Sequence, residues 1–153
     1  MLAFTIEPRQ IADVFTNSSR LLLNNLPRNQ YGLYALFDHH ERLRYVGQTA
    51  CQGGFYDRIC NKHVTGSTYG RPGTAGRSHK FASEYIPLMG RKAARGFARK
   101  YCRAIVFPIL GRPPLGVLRT DSNLQAYEAG LRSLEVQVVA ILRARGFALD
   151  WNI

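Results

Sequence analysis

Acidic residues are scarce in this chain of 153 residues, which has 10 Asp and Glu against 21 Lys and Arg and therefore a formal net charge of +11. So large a positive charge is unusual for a cytosolic enzyme that acts on small metabolites. It indicates a polyanionic partner, with nucleic acid as the first choice and an anionic membrane surface as the second. The imbalance is greatest between Glu84 and Asp121, a window that holds eight cations and no acidic residue.

Long apolar runs and paired cysteines are absent as well. The longest apolar run covers only residues 138–142, whereas a membrane-spanning helix needs about 20 residues. The N-terminal segment lacks the basic start and apolar core of a signal peptide. Cys51, Cys60 and Cys102 are widely spaced and form no Cys-x-x-Cys pair, which argues against a zinc site and is typical of a reduced protein. We therefore expect a cytoplasmic protein without a membrane anchor.

Hydrophobic periodicity predicts a single α+β domain over residues 1–153, with a small sheet and segregated helices. The predicted strands cover residues 32–37, 43–48 and 101–110. The predicted helices cover residues 8–25, 55–64, 122–145 and, as a broken helix, 79–100. Residues 1–27 are thus a helical N-terminal extension of the domain.

Two tyrosines mark the ends of the first predicted hairpin. Gly32-Leu33-Tyr34 opens the first strand, ten residues follow, and Tyr45-Val46-Gly47 lies in the second strand. Aromatic packing across the strands accounts for such a pair. Each motif also carries a glycine, however, and glycine permits the close approach of another backbone or of a ligand. The pair is therefore a candidate either for a packing contact or for the walls of a site.

Charged residues on two predicted helices are the other candidates. Arg58 and Lys62 are one helical turn apart, so they share a face that is either solvated or able to clamp a phosphate. Glu135 borders the apolar stripe of the last helix, where a buried carboxylate requires a cation or a metal. An ion pair, with Arg132 or with an arginine from elsewhere in the chain, is the simpler explanation. Glu128, seven residues earlier on the same face, is an alternative ligand.

The order and spacing of these residues resemble the GIY-YIG nuclease superfamily, which is named for its two strand motifs. The resemblance covers residues 30–152 and implies a small three-stranded antiparallel sheet flanked by helices. It implies that Tyr34 and Tyr45 are two walls of one active-site cleft. It also implies that Arg58 reaches the scissile phosphate and that Glu135 is the single protein ligand of Mg²⁺ or Mn²⁺.

Two further positions follow from the same resemblance. Asn152 matches the asparagine that follows the glutamate helix in many members, although its distance from Glu135 is longer here. Many members also place a histidine four residues after the arginine. Lys62 occupies that position in this chain and His63 the next one, and successive residues of an α-helix point about 100° apart. Both side chains remain candidates for the site.

The implied reaction is metal-dependent hydrolysis of DNA phosphodiester bonds. In this hypothesis Tyr34 activates a water molecule, and its pKa is lowered by the nearby cation Arg58 or Lys62. Arg58 stabilises the pentavalent phosphate, and Tyr45 or the neighbouring helix residue relays a proton. The metal on Glu135 assists the leaving 3′ oxygen.

Basic residues outside the site are predicted to hold the DNA backbone. Arg91, Arg95 and Arg99 repeat every four residues, so a helix aligns them as a ridge. The Gly/Ser-rich loop at residues 65–78 is expected to enter a groove. The predicted nucleic-acid contacts are Arg71, Arg77, Arg91, Lys92, Arg95, Arg99, Lys100 and Asn152.

Small, self-contained nucleases of this family include restriction endonucleases, some of which act as homodimers that cut both strands. The first expectation is therefore a restriction-type endonuclease that acts on double-stranded DNA, alone or as a homodimer. A repair, structure-specific or effector nuclease that nicks DNA is the next alternative. From a different class, a non-catalytic nucleic-acid-binding protein would explain the charge, with tyrosines that stack or pack.

Overall fold

A four-stranded antiparallel sheet lies at the centre of the protein, whose computed structural model describes residues 5–66, 69 and 79–152. The strands are β1 (Leu21–Leu22), β2 (Gly32–Phe37), β3 (Leu43–Thr49) and β4 (Arg103–Pro108). They lie in the order β1-β4-β2-β3, and each neighbouring pair is antiparallel. β2 is therefore a central strand, with β3 on one side and β4 on the other.

In the described part of the chain, five helices surround the sheet. They are α1 (Pro8–Asn17), α2 (an α-helical turn at Gly54–Tyr56 that continues as a π-helix over Asp57–Val64), α3 (Lys80–Met89), α4 (Arg91–Tyr101) and α5 (Ser122–Ala144). Asp121 caps α5, because its carboxylate accepts hydrogen bonds from the amides of Asn123 and Leu124. None of these helices combines the length and apolar character needed to cross a bilayer.

The α+β class is confirmed, but the prediction of three strands is wrong because a fourth strand pairs with β4. α1 ends at Asn17, and the chain then places Leu21 opposite Ala104 and Leu22 opposite Arg103. This pairing provides backbone hydrogen bonds along an edge of β4 that would otherwise expose unpaired amide and carbonyl groups. Two residues are too few to produce an alternating pattern, so sequence periodicity extends the first helix through them.

The sheet separates two hydrophobic cores. Along β2, Leu33, Ala35 and Phe37 face α1 and α5, whereas Tyr34 and Leu36 face α2, α3 and α4. All residues of β2 are buried, since helices cover both faces of this central strand. The alternation of side chains along the strand therefore places Tyr34 beneath α2.

Two glycines allow the strands to pack closely around Tyr34. Gly47 pairs with Tyr34 across β2 and β3, and a Cβ atom there would lie 2.6 Å from Cζ of Tyr34 and 2.6 Å from Cε2 of Tyr45. A Cβ atom at Gly32 would lie 2.2 Å from the carbonyl oxygen of Phe107 in β4. The glycine of each tyrosine motif is thus required by a close contact that a larger residue would break.

We expect Gly47→Ala to lower the free energy of unfolding by about 1–3 kcal/mol, because the added methyl group has to displace the rings of Tyr34 and Tyr45. Gly96→Ala is the matched control. Gly96 lies in α4, and no atom outside its own helical turn is within 4 Å of the added methyl, so this change should stabilise the helix by about 0.5–1 kcal/mol. Urea unfolding measures both, and equal changes would contradict the packing of the rings over Gly47.

Candidate active site

The hydroxyl group of Tyr34 is the centre of the candidate site. Tyr34 is fully buried, and its oxygen lies 2.8 Å from Nε2 of His63 and 3.4 Å from Nε of Arg58, both in α2. Its ring packs edge-on against Phe55 and His63. One strand and one helix thus hold a phenol, an imidazole and a guanidinium in direct contact.

The hydrogen bonds of His63 determine which of its nitrogens carries the proton. Nδ1 lies 3.1 Å from the backbone nitrogen of Lys80, and an amide N–H only donates, so Nδ1 accepts. Burial, followed by the charges of Arg58 and Lys80, holds the pKa of His63 well below its usual range, so the imidazole is neutral. The neutral ring therefore carries its proton on Nε2 and donates it to the oxygen of Tyr34.

The Tyr34 oxygen thus accepts hydrogen bonds from two N–H groups. A phenol oxygen offers two acceptor positions, and His63 Nε2–H and Arg58 Nε–H occupy them. Both donors point at the atom that would carry the charge of a phenolate, so the arrangement stabilises the ionised form more than the neutral form.

The pKa of Tyr34 is nevertheless raised, to about 12. Burial is the largest cause and the charge of Glu135 adds to it, whereas Arg58 lowers the pKa through its charge and its hydrogen bond. Arg58 thus lowers the pKa of Tyr34 as expected, but burial outweighs it, so the net pKa in the free protein is raised. Tyr34 is a neutral phenol at physiological pH.

A π-helical segment explains how residues five positions apart reach the same hydroxyl. An α-helix returns to the same face after about four residues, whereas the i→i+5 hydrogen bonds of a π-helix add one residue to the turn. Arg58 and His63 lie within the π-helical part of α2, and both contact Tyr34. Lys62 makes no such contact among the described residues. The geometry therefore places His63, and not Lys62, beside the tyrosine.

Tyr45 lies beside Tyr34 on the same face of the sheet. The two ring centroids are 6.2 Å apart, and the Tyr45 ring also packs against His63 at 5.4 Å. Nζ of Lys80 lies 5.2 Å from the centroid of the Tyr45 ring. Burial, with the charges of Tyr34 and Glu135, raises the pKa of Tyr45. The second tyrosine is therefore a neutral wall of the site.

Glu135 acts on the site through its charge. It raises the pKa of Tyr34 and of Tyr45. Burial raises the pKa of Glu135 itself to about 7, against the opposing charges of Arg58 and Arg132. No cation among the described residues lies within ion-pair distance of its carboxylate. The expected ion pair, with Arg132 or with another arginine of the described residues, is therefore absent. Half-buried and without a close cationic partner, this carboxylate has a strong electrostatic preference for a positive ion.

The carboxylate of Glu135 fits a divalent cation only together with oxygen ligands from a substrate and from water. Within residues 5–66, 69 and 79–152, no group of three or more His, Cys, Asp or Glu side chains is placed to hold a metal ion. Mg²⁺ commonly takes one or two protein carboxylates and completes its shell with water and phosphate oxygens. A single carboxylate at Glu135 is compatible with that mode of binding. Glu128 remains the alternative, since it lines the adjoining cleft.

Arg58 connects the buried tyrosine to a cleft of about 470 Å³ between the β3–α2 turn and the loop that precedes α5. The charged and amide side chains that line the cleft are Gln48, Gln52, Arg58, Arg112, Arg119 and Glu128. Of the residues around Tyr34, Arg58 alone reaches this lining in the described part of the chain. A ligand in the cleft therefore meets the guanidinium before it meets the phenol.

Sequence reasoning missed Arg112 and Arg119 as cleft residues. Nε of Arg112 donates to the carbonyl of Ala50 at 2.7 Å, and its guanidinium lies 4.7 Å from the ring centroid of Tyr31. Both arginines belong to the stretch of eight cations without an acidic residue. Both arginines lie in the segment before the last helix, which carries Glu135. This position was the signal that could have assigned them to the site.

The basic residues of α4 lie outside the cleft lining. Arg91 donates to the carbonyls that follow the C-terminal end of α2, and Arg99 donates to Asn24. The exposed members are Arg91, Lys92, Arg95 and Lys100, whereas Arg99 is partly buried. The predicted helical ridge is present, but two of its three arginines are engaged within the protein. Arg71 and Arg77 lie outside the described residues.

Asn152 is held by the edge of the sheet. Its side-chain oxygen accepts a hydrogen bond from the amide of Val46, and its side-chain nitrogen donates to the carbonyl of Val46, each at 2.8 Å. The amide of Trp151 donates to the carbonyl of Arg44 at 3.0 Å. Residues 151–152 therefore provide hydrogen-bond partners for the backbone at the outer edge of β3, beside the second tyrosine motif. The contact that the structure shows for Asn152 is thus within the protein.

We expect Glu135→Gln to stabilise the protein at pH 8 by on the order of 2 kcal/mol and to have little effect near pH 5. The carboxyl group of Glu135 binds its proton more tightly in the folded chain than in the unfolded chain, where its pKa is near 4.5. The free energy of unfolding of the native protein therefore falls as pH rises from about 4.5 to about 7. Urea unfolding at several pH values measures the effect. Glu128→Gln is the control, and a benefit of Glu135→Gln that is independent of pH would contradict burial of the charge.

The structure brings together all but one of the predicted catalytic residues: Tyr34, Tyr45, Arg58 and His63 in contact, and Glu135 within electrostatic range. Lys62 is the exception. Comparison of the chain with family models, with curated proteins and with solved structures gives no match. The functional conclusion therefore depends on the geometry around Tyr34 and on the cleft that Arg58 lines.

Proposed function

We propose that this protein is a metal-dependent endonuclease that hydrolyses the phosphodiester bonds of DNA. The observation that carries the proposal is the pair of N–H donors, on His63 and Arg58, that point at the buried hydroxyl of Tyr34. Such a pair favours negative charge on that oxygen, which a tyrosine that only packs does not need. The net charge of +11 supports a polyanionic substrate.

Arg58 is proposed to be the first group that a phosphate in the cleft meets. Its contact with the Tyr34 hydroxyl is long, at 3.4 Å, and a phosphate offers the guanidinium stronger, charge-assisted and bidentate hydrogen bonds. In this proposal the guanidinium turns toward the phosphate and uncovers the hydroxyl, which has no exposed surface in the free protein. Binding of the substrate and access to the tyrosine are thereby coupled.

The hydrolytic step uses Tyr34 in its ionised form, which arises when the hydroxyl, uncovered by Arg58, gives its proton to solvent. The phenolate takes a proton from a water molecule, the water oxygen attacks the phosphorus, and the bond to the 3′ oxygen breaks with its electron pair on that oxygen, which solvent then protonates. His63 stays neutral and holds the phenolate, because the amide of Lys80 occupies its other nitrogen. Arg58 balances the charge that develops on the phosphate.

Glu135 is the proposed metal ligand. A divalent cation bound there would polarise the phosphate and cancel the carboxylate charge that raises the pKa of Tyr34. Glu135 is preferred to Glu128 because its charge acts on both tyrosines. Tyr45 remains a phenol in this scheme and excludes water from one side of Tyr34.

Double-stranded DNA is the proposed substrate, and restriction-type cleavage of both strands is the finer proposal. The described residues form one tyrosine site, so cutting two strands requires two copies of the chain, as in a homodimer, or two binding events. The cleft arginines Arg112 and Arg119 and the exposed cations of α4 would hold flanking phosphates, contacts that fix position without selecting a base sequence.

Binding of nucleic acid without catalysis is the second candidate function. The observation that favours it is the complete burial of Tyr34, because a base that never reaches solvent cannot activate a water molecule. In that case Arg58 would only fix the phenol in the core, and the cleft would hold a phosphate without cutting it. A cleavage assay separates the two functions.

We expect the purified protein to convert supercoiled plasmid to nicked or linear forms with Mg²⁺ and not with EDTA. Tyr34→Phe keeps the ring but removes the acceptor of both N–H donors, so it should lower the cleavage rate by about 10²–10⁴-fold. Glu135→Gln should lower it comparably, because the amide carries no charge to hold the cation. Gel electrophoresis measures the rates, and mapping of the ends distinguishes restriction-type cuts from scattered nicks.

Tyr101→Phe is the matched control for this assay, since Tyr101 is an exposed tyrosine at the end of α4. It should cleave at the native rate, as should Lys62→Gln, which removes the helix cation that lies outside the site. Near-native cleavage by both Tyr34→Phe and Glu135→Gln would contradict the mechanism. Plasmid that is bound but left intact with Mg²⁺ would favour the non-catalytic alternative.

Cys51 provides a chemical probe of the cleft. It is exposed and lines the cleft with Arg58, whereas Cys60 and Cys102 are buried, and burial raises the pKa of each to about 11. We expect iodoacetamide to modify Cys51 alone in the folded protein. Saturating duplex DNA in EDTA should slow this modification several-fold, as measured by peptide mass spectrometry.

High salt is the control for the protection of Cys51, because it releases phosphate contacts and should restore the rate seen without DNA. An unchanged rate of modification while the DNA is bound would place the DNA on a different surface.

A further inference from the structure

The loop between β4 and α5 exposes three leucines. Leu110 is 91% exposed, Leu115 52% and Leu118 75%. Single exposed leucines are common on protein surfaces, but contiguous apolar side chains usually mark an interaction site. Three of them lie within nine residues of one loop, and burial of this apolar surface by a partner would be favourable.

The same loop borders the cleft that contains Arg58. Leu115 and Arg119 line this cleft from the loop side, and Gln52 lines it from the β3–α2 turn. Leu115 and the candidate phosphate-binding arginine Arg58 thus line one space, and Leu118 follows in the same loop outside the cleft lining. A ligand that occupies the cleft contacts both Leu115 and Arg58.

Cations flank the leucines on both sides. Arg112 precedes Leu115; its guanidinium donates to the carbonyls of Ala50 and Pro113 and lies over the ring of Tyr31. Arg119 follows Leu118, and the whole stretch from residue 85 to residue 120 contains no acidic residue. Leu115 and Leu118, which lie between these two cations in the sequence, suit a partner that is anionic and also offers flat apolar surfaces. Duplex nucleic acid has both, in its phosphates and its stacked bases.

We propose that Leu115 and Leu118 form a wedge that enters the base stack of duplex DNA beside the phosphate bound by Arg58, while Arg112 and Arg119 hold the flanking phosphates. The inference rests on DNA as the ligand of the proposed function and deepens it by specifying how the substrate is deformed. When apolar side chains insert between two base pairs, they replace the stacking of the bases. The duplex is then kinked and unwound at that base step. The kink turns the adjacent phosphate toward the cleft.

Unwinding of a closed circular plasmid tests the wedge without cleavage. The plasmid is relaxed by a type IB topoisomerase in EDTA with the protein present, the protein is removed, and gel electrophoresis gives the linking number. The native protein is expected to shift the topoisomers by several turns at saturation. The double variant Leu115→Ser, Leu118→Ser should lose the shift but keep its affinity for the plasmid within about threefold, because the phosphate contacts remain.

Leu88→Ser is the matched control, since Leu88 is 73% exposed in α3 and does not line the cleft; it should shift the topoisomers as the native protein does. Three outcomes overturn the wedge. The plasmid is not bound, the plasmid is bound without a shift in linking number, or the double variant gives the same shift as the native protein. A double variant that changes from dimer to monomer in sedimentation, with unwinding unchanged, assigns the leucines to a second copy of the chain and also overturns it.

The outcomes for the wedge and for the proposed function are separable. Cleavage with Mg²⁺ in the absence of unwinding removes the wedge and leaves the nuclease. Unwinding in EDTA without cleavage in Mg²⁺ removes the nuclease and supports the wedge as a DNA contact.

Discussion

The hydrogen bonds that hold the Tyr34 hydroxyl between His63 and Arg58 constrain much of the surrounding structure. A buried hydroxyl must be paired, so α2 has to lie directly over β2, and the opposite side of His63 has to meet an amide of α3. The ring needs room across the hairpin, which Gly47 provides by lacking a side chain. Strand pairing, helix position and the protonation state of one imidazole are therefore linked to a single oxygen atom.

Burial and charge oppose each other throughout this site. Low polarity around Tyr34 favours the neutral phenol, whereas Arg58 favours the phenolate; at Glu135 burial again outweighs the arginines. A sequence names the charged groups but not the depth at which they lie, so the direction of each pKa shift could not be predicted from it. A charge brought by a ligand would act strongly here, because little water is present to screen it.

The hairpin and the last helix could be predicted because their patterns are long. β2, β3 and α5 differ from their predicted bounds by at most one residue. β1 has two residues and gives no such pattern. Tyr34, Tyr45, Arg58 and Glu135 came from the order of motifs along the chain. The choice between His63 and Lys62 did not, since sequence spacing assumes α-helical geometry and α2 turns into a π-helix at that point.

The hydrogen bonds that residues 151–152 make to β3 have a consequence for the behaviour of the protein in concentrated solution. β3 is an outermost strand, and bare outermost strands recruit strands of other molecules. The amide of Asn152 supplies one donor and one acceptor to Val46, in imitation of a neighbouring strand. This part of the sheet is thereby protected from intermolecular β-pairing, and a two-residue segment serves as a barrier against aggregation.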